Sequence, residues 1–335
     1  MGRLFVLGTE ADPHVTRVLR HFVEIGGSYV MVDYLTNIDF TFSQDGDDHR
    51  WSVNGHVVGV GDLIWNRMKL WRGSNFFFKD EIEGESKADN YRRNMVRQQE
   101  WNASMHALKT MHADAVVNCP TGAGRMNKPF QQKVASGIGF KVPRSLITTS
   151  KAELEDFFKV CKSVIIKGQG GTRAYSREEF ADPMSIMTMR LTPDEVQAVD
   201  EESLLACPQF FQEEISKNYE LRVFATRSNA CAFRIDSQKF EATEVDWRFG
   251  NTFLPFEPVD IAECVKTKIF RFLLEFNLNY GSFDFVVDHS GELWFLECNS
   301  DGQWGFLETH EEALMSKMLS EELFRALQAR QSPSN

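Results

Sequence analysis

Two short apolar runs, Gly281-Ser282-Phe283-Asp284-Phe285-Val286-Val287 and Glu292-Leu293-Trp294-Phe295-Leu296-Glu297-Cys298-Asn299, flank the segment Asp288-His289-Ser290-Gly291. Both runs are rich in aromatic and β-branched residues, and the segment between them is a turn signal, so the pattern predicts a β-hairpin. If the hairpin is centred between Ser290 and Gly291, Asp284 lies directly opposite Glu297. The two-residue period of a strand then places Asn299 on the same face.

The hairpin therefore offers three oxygen ligands, from Asp284, Glu297 and Asn299, on one face. Two neighbouring carboxylates on an apolar sheet repel each other and lose hydration, and a divalent cation relieves both costs. Oxygen ligands suit Mg²⁺, which completes its shell with water and phosphate oxygens. The alternative is that the two carboxylates are solvated residues of an exposed face. A register slip of one residue would send one ligand to the opposite face.

Two lysines upstream of the hairpin are candidates for binding phosphate. Lys128 begins a predicted helix, and Lys167 ends the apolar strand Ser163-Val164-Ile165-Ile166. The glycine-rich residues 168–173 follow at once, and their backbone N–H groups could bind phosphate oxygens. They lack the G-x-x-x-x-G-K-[ST] pattern, which excludes a P-loop. A lone lysine is otherwise an ordinary surface residue.

Polar residues on two further predicted strands complete the candidate site. The strands read Phe210-Phe211-Gln212-Glu213-Glu214-Ile215 and Tyr219-Glu220-Leu221-Arg222-Val223. Glu220 and Arg222 point the same way, so they offer an acceptor for ribose hydroxyls or metal and a guanidinium for phosphate oxygens. A plain cross-strand ion pair is the alternative. Asp246-Trp247-Arg248 presents another acid–base pair in a loop, with a weaker signal alone.

Elsewhere the hydrophobic periodicity predicts mixed α/β and α+β structure in three units. A βαβ opening (strands 4–7 and 28–34 around a helix at 13–25), a polar hairpin at 40–60 and a strand at 62–68 begin an N-terminal α/β domain, residues 1–120. A central unit, residues 121–206, and a C-terminal unit, residues 207–335, follow. Helices are predicted at 79–111, 127–138, 151–161, 193–205, 259–276 and 310–330, and further strands at 115–118, 142–148, 163–167, 209–212, 219–226 and 231–237.

Composition excludes several classes of protein. The 335 residues carry a net charge of −11, which opposes binding to nucleic acid because such proteins usually present a basic face. No apolar run approaches the roughly 18 residues of a membrane span, and the N-terminal apolar run is too short for a secretory signal. We therefore expect a cytoplasmic protein without a membrane partner. Six scattered cysteines without a C-x-x-C pair argue against a zinc site or a disulfide framework.

Taken in order, the candidate residues from Lys128 to Asn299 resemble the layout of the ATP-grasp superfamily. Several stretches also resemble the graspetide (microviridin-type) peptide ligases. These stretches are Asn127-Lys128-Pro129, Lys141-Val142-Pro143-Arg144, Phe211-Gln212-Glu213, Tyr219-Glu220-Leu221-Arg222, Val245-Asp246-Trp247-Arg248 and Asn299-x-x-Gly302-Gln303-Trp304. The family commonly reads Asn-Pro-Asn-Gly-Gln-Trp where this chain has Asn299-Ser300-Asp301-Gly302-Gln303-Trp304, and Cys298 stands where an aliphatic residue is usual. These departures bear on the conformation of the loop, while the metal ligand itself is kept.

The resemblance implies the ATP-grasp fold, with a pre-ATP-grasp domain before the central and C-terminal domains, and a role for each candidate. Lys128 and Lys167 would contact phosphates, and Gln212, Glu213, Glu214 and Ile215 would form a cofactor-binding stretch with the last three at the adenine edge. Glu220 would reach the ribose, and Arg222 would steady the transferring phosphate. Asp284, Glu297 and Asn299 would bind Mg²⁺. Asp246 and Arg248 are the candidates for handling the substrate acid or the nucleophile.

The function implied by the resemblance is an ATP- and Mg²⁺-dependent ligase. It would activate Asp or Glu side chains of a ribosomal precursor peptide, with a leader and an acidic core, as acyl phosphates. Thr or Ser hydroxyls would then form ω-esters, or Lys amines ω-amides, and the enzyme would act as a homodimer. Two alternatives stay open: a glutamate-ligase-like enzyme that adds amino acids to a protein or peptide, and a nucleotide-binding module without catalysis.

Overall fold

The structure is a computed structural model that describes residues 2–33, 38–67, 84–118, 126–169, 173–174, 184–185, 188–250, 254–308 and 312–331. Its strands are β1 (Leu4–Gly8), β2 (Tyr29–Asp33), β3 (Phe40–Asp45), β4 (Asp48–Val53), β5 (His56–Val57), β6 (Leu63–Asn66), β7 (Ser145–Thr148), β8 (Val164–Lys167), β9 (Arg173–Ala174), β10 (Met184–Ser185), β11 (Met189–Leu191), β12 (Gln209–Glu213), β13 (Lys217–Thr226), β14 (Ala230–Ile235), β15 (Phe256–Val259), β16 (Tyr280–Asp288) and β17 (Leu293–Asn299). Its helices are α1 (Pro13–Glu24), α2 (Lys87–Met111), α3 (Lys128–Ile138), α4 (Lys151–Val160), α5 (Pro193–Ala198), α6 (Glu201–Leu205), α7 (Glu263–Glu275) and α8 (Leu314–Gln331).

The N-terminal βαβ prediction is confirmed by a parallel sheet of order β2-β1-β6. Asp12 caps α1 by accepting a hydrogen bond from the His14 backbone N–H, and Pro13 at the first helical position has no N–H to satisfy. The predicted strand 115–118 is only a bridge between Val116 and Ile64 at the edge of this sheet. The C-terminal helix α8 packs on α1 through Leu319 and Leu323, so the two ends of the chain share one core.

The predicted polar hairpin is the sheet β3-β4-β5, which packs beside α2. The predicted apolar face of α2 is confirmed, because Met105 and Leu108 are buried and Trp101 packs against the same core. The helix begins at Lys87, capped by Ser86, and the earlier part of its predicted span, up to residue 83, lies outside the described residues.

A four-stranded antiparallel sheet of order β11-β8-β12-β7 forms the middle of the molecule. One face packs against α4, α5 and α6 through a cluster that includes Leu154 and Phe211. The single helix predicted at 193–205 is wrong in its middle, since Val199 is extended and Asp200 caps a new helix. The cap competes with helix continuation because the Asp200 carboxylate satisfies the Ser203 N–H.

A five-stranded antiparallel sheet of order β15-β14-β13-β16-β17 forms the C-terminal part. One face packs on α7 and α3 through Phe272 and Phe283, and the other joins the core of the N-terminal sheet through Phe224. The helix predicted from residue 259 begins only at Glu263, and Val259 instead pairs with Ala232 of β14 as the last residue of strand β15. Tertiary pairing has overridden the local helical pattern there.

The hairpin prediction is confirmed, but the turn is centred at Ser290 and not between Ser290 and Gly291, which shifts the pairing partners by one residue. Val287 pairs with Leu293, and the Asp288 N–H donates to the Glu292 carbonyl, so regular pairing would place Asp284 opposite Leu296. A β-bulge at Leu296 inserts one extra residue in β17 and restores the pairing of Asp284 with Glu297. The expected carboxylate pair therefore forms because two offsets cancel.

β12 pairs with β7 and β8, so a boundary after Glu213 would keep the four-stranded sheet in one unit, whereas the sequence places the boundary at residue 206. The three-domain division stays a prediction.

Within the described ranges no disulfide forms, and Cys161 and Cys298 are buried free thiols. No helix in the described part of the chain has the length and apolar character to span a membrane.

Candidate active site

Three neighbouring strands carry a row of charged side chains on one face of the five-stranded sheet. The register places Arg222 of β13 opposite Asp284 of β16, and Asp284 opposite Glu297 of β17. The Arg222 guanidinium donates to the Asp284 carboxylate. Asn299 Nδ2 lies 3.4 Å from Asp284 Oδ2 and 3.3 Å from Glu297 Oε1. The three predicted metal ligands therefore converge, with Arg222 beside them.

Burial and neighbouring charges affect the two carboxylates differently. Burial raises the pKa of Asp284 although Arg222 opposes the shift, and the charge of Glu297 adds to it. Burial also opposes ionisation of Glu297, but the ammonium groups of Lys128 and Lys167 outweigh that effect and hold the pKa of Glu297 below its usual value. The pair thus has one carboxyl group that resists ionisation and one that favours it.

The donor set fits a hard divalent cation. Asp284 and Glu297 supply carboxylate oxygens, and turning the Asn299 amide about its last side-chain bond presents Oδ1 instead of Nδ2 to the same position. A cation there would offset the burial cost that raises the pKa of Asp284. Two carboxylates and an amide leave room for water and phosphate ligands, as Mg²⁺ requires. Among the described residues no group of three His, Cys, Asp or Glu forms a competing metal site.

Both predicted phosphate-binding lysines lie beside the carboxylate pair. Lys128 Nζ is 3.4 Å from Glu297 Oε2 and donates to the Gly168 carbonyl at 2.6 Å. Lys167 Nζ donates to Gln212 Oε1 at 2.9 Å. Burial lowers the pKa of Lys167 to about 8, although Glu297 favours its charged form. The predicted phosphate-binding loop at residues 170–172 lies outside the described residues.

The cofactor-binding stretch ends β12 and leads into β13, so it links the two sheets. The Glu213 N–H donates to the Arg144 carbonyl, and the Arg144 N–H donates to the Glu213 carboxylate. The Glu214 carboxylate is held by Arg190 at 2.6 and 2.7 Å and by Ser163. Ile215 follows in the link and is half-buried. This connection brings the four-stranded sheet next to the carboxylate row.

Glu220, which the sequence assigns to the ribose, is buried and bound to Lys217 Nζ at 2.6 Å. Burial raises the pKa of Glu220 although Lys217 opposes the shift. Sequence reasoning missed Lys217, which is also buried and donates to the Val245 carbonyl at 3.2 Å. The sequence signal that could have identified Lys217 is its position three residues before Glu220, since opposite charges so close along the chain can pair. Lys217 adds a third ammonium group to this part of the site.

Asp246 and Arg248 form an ion pair within one loop. The Arg248 Nε donates to Asp246 Oδ1 at 2.8 Å, and the buried Asp246 also accepts from the Thr188 N–H at 3.2 Å. Hydrogen bonding to Asp246 raises the pKa of Arg248, and Glu297 and Asp284 contribute to the same shift. The side chain of Arg248 is about half exposed, at 49%. Arg248 is therefore a half-exposed cation in the electrostatic field of the carboxylate row.

A second contact that sequence reasoning missed joins the metal-ligand loop to the N-terminal sheet. Arg67 follows β6, is fully buried, and binds Asp301 and Asp12, with the Asp12 Oδ2 at 3.2 Å from its Nη2. Burial opposes the charge of Arg67, but Asp301, Tyr280 and Asp12 together outweigh burial and raise the pKa of Arg67. Arg222 Nη2 in turn lies 3.4 Å from the Gln303 carbonyl. The loop after Asn299 is thus held from both sides.

No protein-family model matches the sequence. No curated protein matches it either. Solved structures do match along nearly the whole chain. One is a RiPP-associated ATP-grasp ligase from Chryseobacterium gregarium in complex with ADP and a leader and core peptide, at 21% identity and a TM-score of 0.78, covering 99% of this chain and 98% of that one.

Two further solved structures are similar. The macrocyclase MdnC from Microcystis aeruginosa, bound with precursor peptide MdnA, has 19% identity and a TM-score of 0.74 and covers 96% of this chain and 99% of its own. The ATP-grasp ligase PsnB, complexed with minimal precursor, Mg and ADP, has 21% identity and a TM-score of 0.73 and covers 97% of this chain and 98% of its own. At these identities the likeness shows the fold. The chain has the ATP-grasp fold, as the sequence predicts.

Proposed function

We propose that this chain is an ATP- and Mg²⁺-dependent ligase that activates side-chain carboxylates of a ribosomal precursor peptide and closes them into macrocycles. The observation that carries the proposal is the row of Arg222, Asp284 and Glu297 with Asn299, Lys128 and Lys167 around it. This group combines oxygen ligands for a divalent cation with several cations for phosphate. The similar solved structures with ADP, Mg and precursor peptides support the same chemistry.

In the proposed reaction a carboxylate oxygen of the peptide attacks the γ-phosphorus of ATP, and ADP leaves. The product is an acyl phosphate, whose carbonyl carbon a hydroxyl or amine of the same peptide then attacks. Inorganic phosphate leaves and the nucleophile loses a proton, so each ring removes one water from the peptide. Activation is needed because a free carboxylate is a poor electrophile.

Asp284, Glu297 and Asn299 would hold Mg²⁺, which when bound neutralises charge on the phosphate oxygens. Lys128, Lys167 and Arg222 would stabilise the transferring phosphoryl group, since in such reactions positioning and electrostatics supply most of the catalysis. The link of Glu213 to Ile215 would meet the adenine edge. Glu220 would reach the ribose by exchanging its bond to Lys217.

Arg248 would bind the substrate acid, and Asp246 would hold its guanidinium in place. The support is that Arg248 is half exposed and lies in the field of Asp284 and Glu297, while the protein as a whole carries a net charge of −11. An acidic core peptide therefore meets few favourable charges elsewhere. An Arg248→Gln variant should raise the KM for the peptide while the affinity for ADP stays near the wild-type value.

The test uses the short peptide encoded beside this chain's gene, incubated with the purified protein, ATP and Mg²⁺. Macrocyclisation predicts ADP release and the loss of one water per ring by mass spectrometry. Mild base then opens ω-esters and leaves ω-amides, which decides the linkage. A gain of amino-acid mass would instead support the glutamate-ligase-like activity. ATP binding without ADP release with any acceptor would support the non-catalytic module.

Two finer parts of the proposal need separate measurements. The homodimer predicts twice the chain mass in light scattering of the purified protein, and a monomer mass would contradict it. The cytoplasmic location predicts that the protein fractionates away from membranes and secreted material.

A separate leader-binding surface is expected beside residues 193–205, where charge reversal at Asp194 and Glu195 should weaken leader binding.

A further inference from the structure

Two adjacent buried glutamines, Gln131 and Gln132, lie one turn after Lys128 on helix α3. Residues separated by three and four positions share one face of a helix, so Lys128, Gln131 and Gln132 point the same way. The Asn127 side chain caps this helix by accepting from the Phe130 N–H at 3.0 Å, which fixes where the face begins. One helix face therefore presents an ammonium group and two amides to the candidate active site.

Gln131 contacts the strand that carries two of the proposed metal ligands. Its Oε1 accepts from the Cys298 backbone N–H at 2.7 Å, and its Nε2 donates to the Met126 carbonyl at 3.0 Å. Cys298 stands between Glu297 and Asn299 on β17, which is an edge strand of the five-stranded sheet. An edge strand has N–H groups without a neighbouring strand. Gln131 satisfies one of them at the centre of the ligand pair.

Gln132 contacts the other sheet. Its Oε1 accepts from the Ser145 hydroxyl at 2.9 Å, and Ser145 Oγ accepts from Gln212 Nε2 at 3.1 Å. Gln212 continues this series of hydrogen bonds, because its Oε1 accepts from Lys167 Nζ at 2.9 Å. The Ser145 hydroxyl has a second acceptor, the Pro143 carbonyl, but at the longer distance of 3.4 Å. A continuous series of hydrogen bonds thus joins helix α3 to the Lys167 ammonium.

The side-chain amides of Gln131 and Gln132 differ in how many of their polar atoms have hydrogen-bond partners, and this difference helps to distinguish a functional from a structural role. Both polar ends of Gln131 have partners, whereas the buried Nε2 of Gln132 has none among the described residues. Burying an unpaired amide N–H costs free energy, so an apolar side chain of the same length should fit there at least as well. Gln132 is therefore poorly explained by stability, and its contact with Ser145 is what an apolar replacement would lose.

We propose that Gln131 and Gln132 are positioning residues that set the distance between the metal ligands and the phosphate-binding lysines. Gln131 holds the strand of Glu297 and Asn299, and Gln132 holds Lys167 through Ser145 and Gln212. Helix α3 is the common support. Its own Lys128 contacts Glu297 on the side of the metal ligands and the Gly168 carbonyl on the side of Lys167. This inference rests on the proposed function, because it assigns the lysines to phosphate and the carboxylates to metal.

The experiment compares full-length Gln131→Met, Gln132→Met, Ser145→Ala and Ser145→Thr with the wild type. Methionine keeps the length of glutamine and removes both polar ends. Three quantities are measured: the Kd for AMPPNP at saturating Mg²⁺ by calorimetric titration, the Kd for Mn²⁺ at saturating AMPPNP by electron paramagnetic resonance, and the Tm. Partners that orient binding groups typically contribute about 10-fold or more to affinity.

We expect Gln132→Met and Ser145→Ala to weaken AMPPNP binding about 10-fold. The Tm should stay unchanged or rise in Gln132→Met, but it should fall in Ser145→Ala, because that change leaves Gln132 Oε1 and Gln212 Nε2 without their shared partner. Ser145→Thr, which keeps the hydroxyl, should bind like the wild type. Gln131→Met should weaken Mn²⁺ binding about 10-fold and should lower the Tm, because it breaks two satisfied hydrogen bonds. The two glutamine variants thus serve as controls for each other.

The inference is overturned if Gln132→Met and Ser145→Ala bind AMPPNP like the wild type, or if the loss of affinity in Gln132→Met is matched by a loss of Tm. Wild-type affinity for Mn²⁺ in Gln131→Met overturns the part that concerns the metal ligands. Failure of the wild-type chain to bind AMPPNP with Mg²⁺ would instead contradict the proposed function itself. The two failures are therefore distinguishable.

Discussion

The two sheets that meet at the candidate site are built differently. The five-stranded sheet is covered on both faces, by a cluster with Phe283 on one side and by a cluster with Phe224 on the other. The four-stranded sheet is covered by the Leu154 cluster on one face. Its other face carries Lys167, Gln212 and Ser145. Gln212 accepts a hydrogen bond from Lys167 and donates one to Ser145.

This difference separates two ways of holding a functional side chain. Asp284 and Glu297 are placed by backbone pairing and by close packing around their strands, so their positions are set when the sheet forms. The backbone of Lys167 is also paired, with Phe210, but the end of its long side chain is held by a hydrogen bond to Gln212, and such bonds are individually weak. We call Asp284 and Glu297 the template, because the sheet fixes their positions. The adjustable side of the site is the side chain of Lys167, which can change its hydrogen-bond partner.

The strongest test of the template is Asp284→Asn, which keeps the shape of the side chain and removes its charge. We expect turnover of ATP to fall by at least about 10²–10³-fold, because the site loses a metal ligand and Arg222 loses its counter-charge. The measurement is ADP release under saturating ATP and Mg²⁺. The matched control is Asp288→Asn at the other end of β16, where the carboxylate accepts from the hairpin turn and from the Trp294 indole N–H. Equal activity in both variants would contradict the metal assignment.

The packing difference predicts a difference in stability. Phe283→Ala removes a fully buried ring that contacts Phe272, Phe285 and Phe295, and it should cost about 3–5 kcal/mol. Ile147→Ala lies on the face of the four-stranded sheet that carries Lys167, where Ile147 is 42% exposed, and it should cost less than about 1 kcal/mol. Denaturant unfolding of both variants measures the two costs. Similar values would show that the sheets are equally constrained.

The adjustable side should be sensitive to pH. With a pKa of about 8 in the free protein, Lys167 is mostly charged at pH 7 and mostly neutral at pH 9. Because phosphate binding needs the ammonium form, affinity for ADP should fall about tenfold as pH rises from 7 to 9. Titration calorimetry at both pH values measures this change. In Lys167→Arg the guanidinium stays charged, so its profile should be flatter. A flat wild-type profile would mean that Lys167 does not bind phosphate in its charged form.

The smallest effect is expected at the contact between the template and the N-terminal sheet. Asp301→Asn keeps an acceptor for Arg67 but removes a charge that is 45% exposed, while Asp12 still neutralises the guanidinium. We expect a loss of about 1 kcal/mol in unfolding free energy and a change in turnover of less than about tenfold. Chemical unfolding and ADP release measure the two effects. A loss of turnover as large as that of Asp284→Asn would place Asp301 in the catalytic machinery.

Much of the architecture follows from local sequence. Helices are predicted to begin at residues 127, 151 and 193, and the structure has them begin at Lys128, Lys151 and Pro193. Runs rich in aromatic and β-branched residues mark the strands of the C-terminal hairpin. Local pattern failed where partners came from elsewhere. Residues 256–259 became strand β15 because β14 pairs with them, and the Leu296 bulge is invisible in the alternation of the hairpin.

The sequence by itself determined the hairpin and the two lysines upstream, because each depends on spacing within one element or on a motif in order along the chain. The pairing of Asp284 with Glu297 was predicted correctly, but it depends on the bulge at Leu296, which only the structure shows. Only the tertiary structure decided that Gln131 holds the N–H of Cys298, that Arg67 holds Asp301, and that Lys217 neutralises Glu220. The first two contacts join residues more than 160 positions apart. Local periodicity specifies which face a side chain takes, but a hydrogen-bond partner exists only once separate elements have packed.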